Sequence, residues 1–355
     1  MSLEDWGWDE RWAAAFAARP GGGLRPARVV EERRGLFHVV AEDGEFAARV
    51  PGAMRHRAGA RADLPAIGDW VCVETVPGER AVQIRAILPR RTKLSRQAAG
   101  EGMLEQVLAA NLDTVFVTTA LNRDFNPRRL ERFMSVCRES GAAPVLLLNK
   151  LDACPDPEAY LAQARAVAAG APVAALSAKT GAGLEALAEW LRPGRTVGFV
   201  GASGVGKSTL VNRLLGEEVL AVRETRAGDE RGRHTTTHRE LFRLPGGGVL
   251  LDTPGMREMK LWEAGRGVAE AFEEIAALTS SCRFTDCRHD SEPGCAVKAA
   301  VDAGTVAAAR LASWRKLRTE LDAKAARQSP ADKAAEKRRR REMNKDRRRS
   351  PGAGR

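Results

Sequence analysis

The sequence predicts three folded parts in series: a small N-terminal β-barrel, a central doubly wound α/β domain, and a C-terminal helical domain built around a Cys/His cluster. Three observations predict this arrangement. Short strand-like runs crowd the first ninety or so residues; apolar runs then alternate with helical segments as far as Gly255. Finally, three cysteines and a histidine fall within fourteen residues, between two stretches of helical spacing. The boundaries fall at 1–91, 92–258 and 259–323, and a basic, disordered tail follows at 324–355.

In the first part, Val29-Val30, Leu36 to Val40, Phe46 to Val50, Asp69 to Glu74 and Ala81 to Ile87 carry β-branched residues with partial alternation. Gly35, Glu42-Asp43-Gly44, Pro51-Gly52 and Pro77-Gly78 punctuate them as turns. Five short strands in so little chain suit an OB-fold, whose strand face and loops often take oligonucleotides. A longer connection holds Arg55, His56, Arg57 and Arg61, as an RNA contact or as a solvated loop. In the second part, Thr114 to Thr119, Val145 to Leu148, Val173 to Leu176, Val197 to Val200 and Val249 to Leu251 read as buried parallel strands. Pro127 to Ser140 and Glu158 to Ala168 read as the helices between them. In the third, Val268, Phe272, Ile275 and Leu278 keep helical spacing, as do Trp314, Leu317 and Leu321 beyond the cluster.

Composition narrows the class. The 355 residues are 44% hydrophobic and 29% charged, as in a globular protein. No stretch approaches the roughly 18 consecutive apolar residues of a membrane span. The first ten residues carry Glu4, Asp5 and Asp9 and no basic, apolar leader, so a cytoplasmic protein without a membrane is expected. The net charge is +11, of which Ala331 to Arg355 carries eleven Lys or Arg against four Asp or Glu. A basic tail on a nearly neutral body suits a polyanionic partner such as nucleic acid, or serves solubility alone.

Chemistry enters with Gly201-Ala202-Ser203-Gly204-Val205-Gly206-Lys207-Ser208, then Thr209, which fits G-x-x-x-x-G-K-[ST] between a strand and a helix. Its glycines let backbone N–H groups close around a phosphate at a helix N-terminus. Lys207 supplies a cation to the β- and γ-phosphates, and Ser208 ligates magnesium. Asp252-Thr253-Pro254-Gly255 ends a strand, so Asp252 can hold the magnesium through water while the Gly255 N–H senses the γ-phosphate. Between them, Gly232-Arg233-His234-Thr235-Thr236-Thr237 occupies the place of a switch loop, with Thr236 favoured as a further magnesium ligand.

Two further motifs select the base. The Asp152 carboxylate of Asn149-Lys150-Leu151-Asp152 can accept from both N1–H and the exocyclic amine of guanine, a pair adenine lacks. The Lys150 stem can lie against the base, and Asn149 can tie its loop to the phosphate loop. Ser177-Ala178-Lys179, after the next strand, would offer a backbone N–H to guanine O6. Each motif alone is weak; together, 28 residues apart and each at a strand end, they specify a GTP/GDP site. They precede the phosphate motifs, whereas in ordinary GTPases they follow them. The order is therefore circularly permuted, and the Asp252–Gly255 loop leads directly into the C-terminal region. Cys282, Cys287, His289 and Cys295, spaced C-x4-C-x-H-x5-C, match a closed structural zinc site able to contribute about 10–16 kcal/mol to folding. Cys72, Cys137 and Cys154 read as packing residues.

With these motifs in this order, the chain resembles the bacterial RsgA (YjeQ) family of small-ribosomal-subunit biogenesis GTPases over roughly residues 27–323. The resemblance implies an OB domain, a permuted GTPase domain and a zinc-binding helical domain. It implies a monomeric, ribosome-stimulated GTPase that binds near-mature small subunits and their rRNA and assists late maturation. It also implies nucleotide roles for Asn149 to Asp152 and Gly201 to Thr209, and zinc roles for the four cluster residues. The long arginine-rich tail is less typical of such a family. Met256 stands where many GTPases keep a water-orienting glutamine, so intrinsic hydrolysis should be slow. His234 is then the candidate to position water, with Lys207 and Thr236 completing the catalytic set. An RNA-binding zinc protein with GTP as a conformational ligand, a P-loop kinase and a permuted GTPase of the large subunit are the competing readings. The base motifs argue against the kinase, and the combination of barrel and zinc cluster argues against the large subunit.

Overall fold

The structure, a computed structural model, describes residues 2–19, 21–33, 35–97, 105–216, 239–252, 268, 271–284 and 286–327. It opens on helix α1 (Glu10–Ala17), whose N-terminus is capped by the Asp9 side chain. The barrel follows as β1 (Arg25–Arg33), β2 (Leu36–Ala41), β3 (Gly44–Arg49), the short helix α2 (Gly52–Arg57), β4 (Trp70–Thr75) and β5 (Ala81–Ile87). Strand β3 pairs with β5 in parallel, β5 with β4 antiparallel, and β4 returns to β1, which closes five strands around Val29, Val39, Val71, Val82 and Ile84.

The α/β part contains the hairpin β6 (Lys93–Gln97) and β7 (Glu105–Ala110), then β8 (Thr114–Ala120), α3 (Pro127–Ser140), β9 (Ala143–Asn149), α4 (Glu158–Ala168) and β10 (Val173–Ala175). It continues with β11 (Thr196–Val200), α5 (Lys207–Leu215), β12 (Arg239–Arg243) and β13 (Val249–Asp252). Strands β10, β9, β8, β11 and β13 lie parallel in that order. Alternation along β8 and β9 divides the core. Val115, Val117, Leu146 and Leu148 meet α3 and α4 on one face, and Phe116, Val145 and Leu147 meet α5 on the other. The sheet is therefore doubly wound.

Two features depart from the sequence reading. The sheet is not wholly parallel: β12 runs antiparallel to β13, and its far edge pairs with β1 at Glu31↔Glu240 and Glu32↔Arg239, joining barrel and α/β sheet through the backbone. Strand β12 reads Arg-Glu-Leu-Phe-Arg, too polar for the apolar-run signal of a central strand. The connection carrying Arg55, His56, Arg57 and Arg61 is not an open loop. Helix α2 and a 3-10 turn at Arg61–Asp63 occupy it, hidden in sequence by the Pro51-Gly52 turn signal.

C-terminal helices α6 (Glu273–Thr279), α7 (Ala296–Asp302) and α8 (Ala308–Arg327) pack on the α3 face of the sheet. The Arg310 guanidinium of α8 reaches the buried Glu131 carboxylate of α3 at 3.1 Å, donates to the Ala271 carbonyl at 2.8 Å and lies over the Phe272 ring. Burial pushes the Glu131 carboxyl above its ordinary value, against hydrogen bonds from Ser313 and the Arg310 charge. No helix among the described residues is long and apolar enough to cross a membrane.

Candidate functional site

Four strand ends meet at one edge of the parallel sheet. Strand β11 is buried along its length and delivers the glycine-rich loop, whose Gly201, Gly204 and Gly206 all adopt positive φ. A side chain at Gly201 would collide with the Thr118 carbonyl of β8, and one at Gly206 with the Asn149 amide, so only glycine fits these two places. Helix α5 starts at Lys207, and the Lys207 ammonium turns back over the loop, donating to the carbonyls of Gly201 at 2.8 Å and Ala202 at 2.7 Å. Ser208 and Thr209 follow in the first turn, where the helix dipole favours an anion.

Asn149 closes β9 and is almost fully buried. Its Nδ2 donates to the Val205 carbonyl of the glycine-rich loop at 2.8 Å, and its Oδ1 accepts the Ala178 N–H at 2.9 Å. One side chain thus binds the glycine-rich loop and the Ser177–Lys179 loop together. Lys150 adopts a left-handed conformation, φ +69°, which turns the chain into the 3-10 turn holding Leu151 and Asp152. The Asp152 carboxylate accepts the Ser177 hydroxyl at 2.5 Å, and the Ser177 Oγ accepts the Thr180 N–H at 3.1 Å. Arg213, a residue sequence reasoning passed over, donates from α5 to the carbonyls of Ala178 and Lys179. Its advance signal was a cation in the last turn of the helix after the glycine-rich loop.

Asp252 ends β13, which lies beside β11, so its backbone stands at the same sheet edge. The remainder of that motif with Gly255, and the switch segment with His234 and Thr236, lie outside the described residues, as does the basic tail beyond Arg327, its first four residues continuing α8.

The second cluster lies between α6 and α7. The ligand atoms of Cys282, Cys287, His289 and Cys295 all fall within 4.8 Å of one another. His289 Nδ1 is 3.4 Å from both Cys282 Sγ and Cys295 Sγ, and these two sulfurs are 4.0 Å apart. Tetrahedral zinc with bonds of about 2.3 Å to sulfur and about 2.0 Å to nitrogen requires edges of about 3.8 Å and about 3.5 Å, so the cluster could hold a metal ion of this kind. Burial lowers the His289 pKa and favours the neutral imidazole a metal needs; burial and the neighbouring sulfurs of Cys295 and Cys282 push Cys287 up to about 11. Against the burial that raises it, Cys282 is drawn below its ordinary value by N–H groups of Val297 and Ala296, opening α7. His289 holds φ +61° and meets the Trp314 ring edge-on at 5.2 Å. The Glu292 carboxylate, missed in the sequence, accepts the N–H groups of Arg288, Asp290 and Ser291 and so shapes the loop around His289.

A cavity of about 550 Å3 lies at the opposite edge of the sheet, lined by Trp8, Trp12, Arg28, Arg91 and Asp113 among others. Arg91 pairs there with Asp9 and Arg195 with Asp113, and among the described residues no phosphate or base motif lines it.

A model of the RsgA GTPase family matches residues 87–262. A protein of Opitutus terrae named small ribosomal subunit biogenesis GTPase RsgA is 47% identical over 95% of this chain and 94% of its own length. One of the same name from Syntrophotalea carbinolica is 43% identical over 96% of this chain and 95% of its own. Among solved structures, YjeQ from Thermotoga maritima superposes with a TM-score of 0.63 at 26% identity, covering 84% of this chain and 98% of its own. YloQ, a circularly permuted GTPase, shares the fold with a TM-score of 0.60 at 23% identity, over 86% of this chain and 99% of its own.

Proposed function

Because the chain belongs to the RsgA GTPase family, we propose that it hydrolyses GTP in the service of small-ribosomal-subunit biogenesis, binding the subunit and its rRNA during late maturation. The observation that carries this reading is the Asn149 bridge, which makes the base-reading loop and the phosphate loop one rigid unit. Permuted order is no obstacle, since β9, β10, β11 and β13 still bring their carboxyl ends to one edge.

In this reading Asp152 accepts N1–H and the amine of guanine, the Lys150 stem covers the base, and the Ser177–Lys179 backbone reads O6. The phosphates lie in the N–H cradle of residues 201–209, and Lys207 exchanges its two carbonyl partners for the β- and γ-oxygens. Magnesium, which neutralises charge developing on the phosphates, would be held by Ser208, Asp252 and Thr236. His234 positions the attacking water in place of a glutamine. Cys282, Cys287, His289 and Cys295 hold a structural zinc that fixes α6 and α7, and with four protein ligands it takes no part in hydrolysis. The chain acts as a cytoplasmic monomer of three domains, bounded near residues 91, 258 and 323.

Steady-state turnover tests this. Purified small subunits should raise GTP hydrolysis well above the intrinsic rate, and His234→Ala should remove most of that rise while GTP affinity stays within about twofold. Stoichiometric, GTP-dependent binding to small subunits without turnover would favour the competing RNA-binding reading. Equal stimulation of parent and variant would remove His234 from the mechanism.

A further inference from the structure

The base-reading loop is held by a side chain that belongs to neither nucleotide motif. Arg213 Nε donates to the Ala178 carbonyl at 3.3 Å, and its Nη2 donates to the Lys179 carbonyl at 2.6 Å. The guanidinium lies along the loop, 3.7 Å from where a Cβ on Gly181 would stand. From these contacts we infer that Arg213 is a positioning residue for guanine recognition, acting through the Lys179 N–H. The inference rests on the guanine site proposed above and names the donor that reads O6.

The geometry of the peptide unit carries the argument. A trans peptide is planar, with its C=O and N–H on opposite edges. The Ala178 carbonyl and the Lys179 N–H belong to one such unit, so fixing the carbonyl toward α5 presents the N–H on the side away from it. The other donors of the loop are already used. The Ala178 N–H goes to Asn149 Oδ1, that of Thr180 to Ser177 Oγ, and that of Gly181 to the Ser177 carbonyl. Among the described residues the Lys179 N–H has no acceptor, and it is the one donor left for an oxygen at position 6 of the purine. Adenine carries an amino group there, so donor would face donor. A cationic donor on the carbonyl also polarises the peptide and makes its N–H a stronger donor.

The test uses GDP and 6-thio-GDP. They show Asp152 the same N1–H and amine and differ in the acceptor at position 6. The parent should bind GDP more tightly than the thio analogue. Arg213→Ala should weaken GDP about tenfold and the thio analogue distinctly less, narrowing the gap. Arg213→Lys, which keeps a cationic donor for one carbonyl, should recover part of it. Arg213 is exposed, so the nucleotide-free melting temperature of each variant should stay near that of the parent. An equal loss for both nucleotides, or unchanged GDP affinity in Arg213→Ala, would overturn the inference. A parent that binds ADP as tightly as GDP would instead overturn the guanine site itself.

Discussion

The two edges of the same parallel sheet are built in opposite ways. At the carboxyl ends of β9 and β11 the backbone turns sharply, through Lys150 in a left-handed conformation and three glycines at positive φ. At the amino ends the polar groups turn on each other. Asp113 accepts the Thr196 N–H at 2.8 Å and pairs with Arg195, and Asn111 accepts the Arg91 N–H and donates to the Gly68 carbonyl. Buried Arg28 donates to the Trp6 carbonyl, to Thr196 Oγ1 at 2.9 Å and to the Asn111 carbonyl, with its guanidinium over Trp70. One edge carries the glycine-rich loop and the loops of Asn149 and Ser177; the other uses most of its polar side chains in joining the N-terminal segment, the barrel and the α/β sheet. Open α/β sheets place ligands at the carboxyl ends of their strands, and the nucleotide motifs of this chain stand at that edge.

If the two edges divide binding from stability, substitutions should separate the two. The largest effect is expected at Asp152. In the proposed function Asp152→Asn removes a charged acceptor of two guanine hydrogen bonds, so GTP affinity should fall about a thousandfold while xanthosine triphosphate gains and the unfolding free energy barely moves. Titration calorimetry with both nucleotides measures it; retained preference for guanine would break the assignment. The opposite edge should respond in reverse. Arg28→Met keeps much of the volume but leaves the carbonyls of Trp6 and Asn111 without their donor, and should cost about 3 kcal/mol in denaturant unfolding with nucleotide selectivity intact. A selectivity change in that variant would mean that the amino-end junction shapes the base site after all.

This contrast also explains what the sequence made legible. Asn149 to Asp152, Ser177 to Lys179 and Gly201 to Ser208 are contiguous because each must place several atoms on one loop, and a loop is local. The apolar runs of β8, β9, β11 and β13 and the spacing of α3 and α4 announced the sheet for a similar reason. The junction has no such signature: Trp6, Arg28, Trp70, Asn111 and Thr196 come from five separate places and follow no period. Strand β12 escaped because only Leu241 and Phe242 of its five residues are apolar, too few to make a run, although one packs on each core of the sheet. Arg213 and Glu292 act on main-chain groups, and any polar residue at those positions would have looked like ordinary surface.

The smallest effect tests whether charge or packing holds the N-terminal helix to the closed edge. Asp9 caps α1 by accepting the Trp12 N–H at 3.1 Å, and its two oxygens take both ends of the Arg91 guanidinium at 2.5 and 2.7 Å. The same guanidinium lies 4.2 Å from the Trp12 ring, while Trp8 meets Trp70 at 4.8 Å. Hydrogen bonding from Arg91 chiefly, against partial burial, holds the Asp9 carboxyl below its ordinary range. A carboxyl that is more acidic in the folded state stabilises the fold above its unfolded pKa of about 3.9, and that contribution disappears as pH falls through the depressed value. Since the pair is half exposed, solvent screening limits it to less than about 1 kcal/mol. Asn is also a good cap, so Asp9→Asn removes the charge and keeps the hydrogen bond to Trp12. Parent and variant should therefore differ near neutral pH and converge in acid, measured as unfolding midpoint against pH. A difference that stays constant across the titration would assign the docking of α1 to the tryptophans alone.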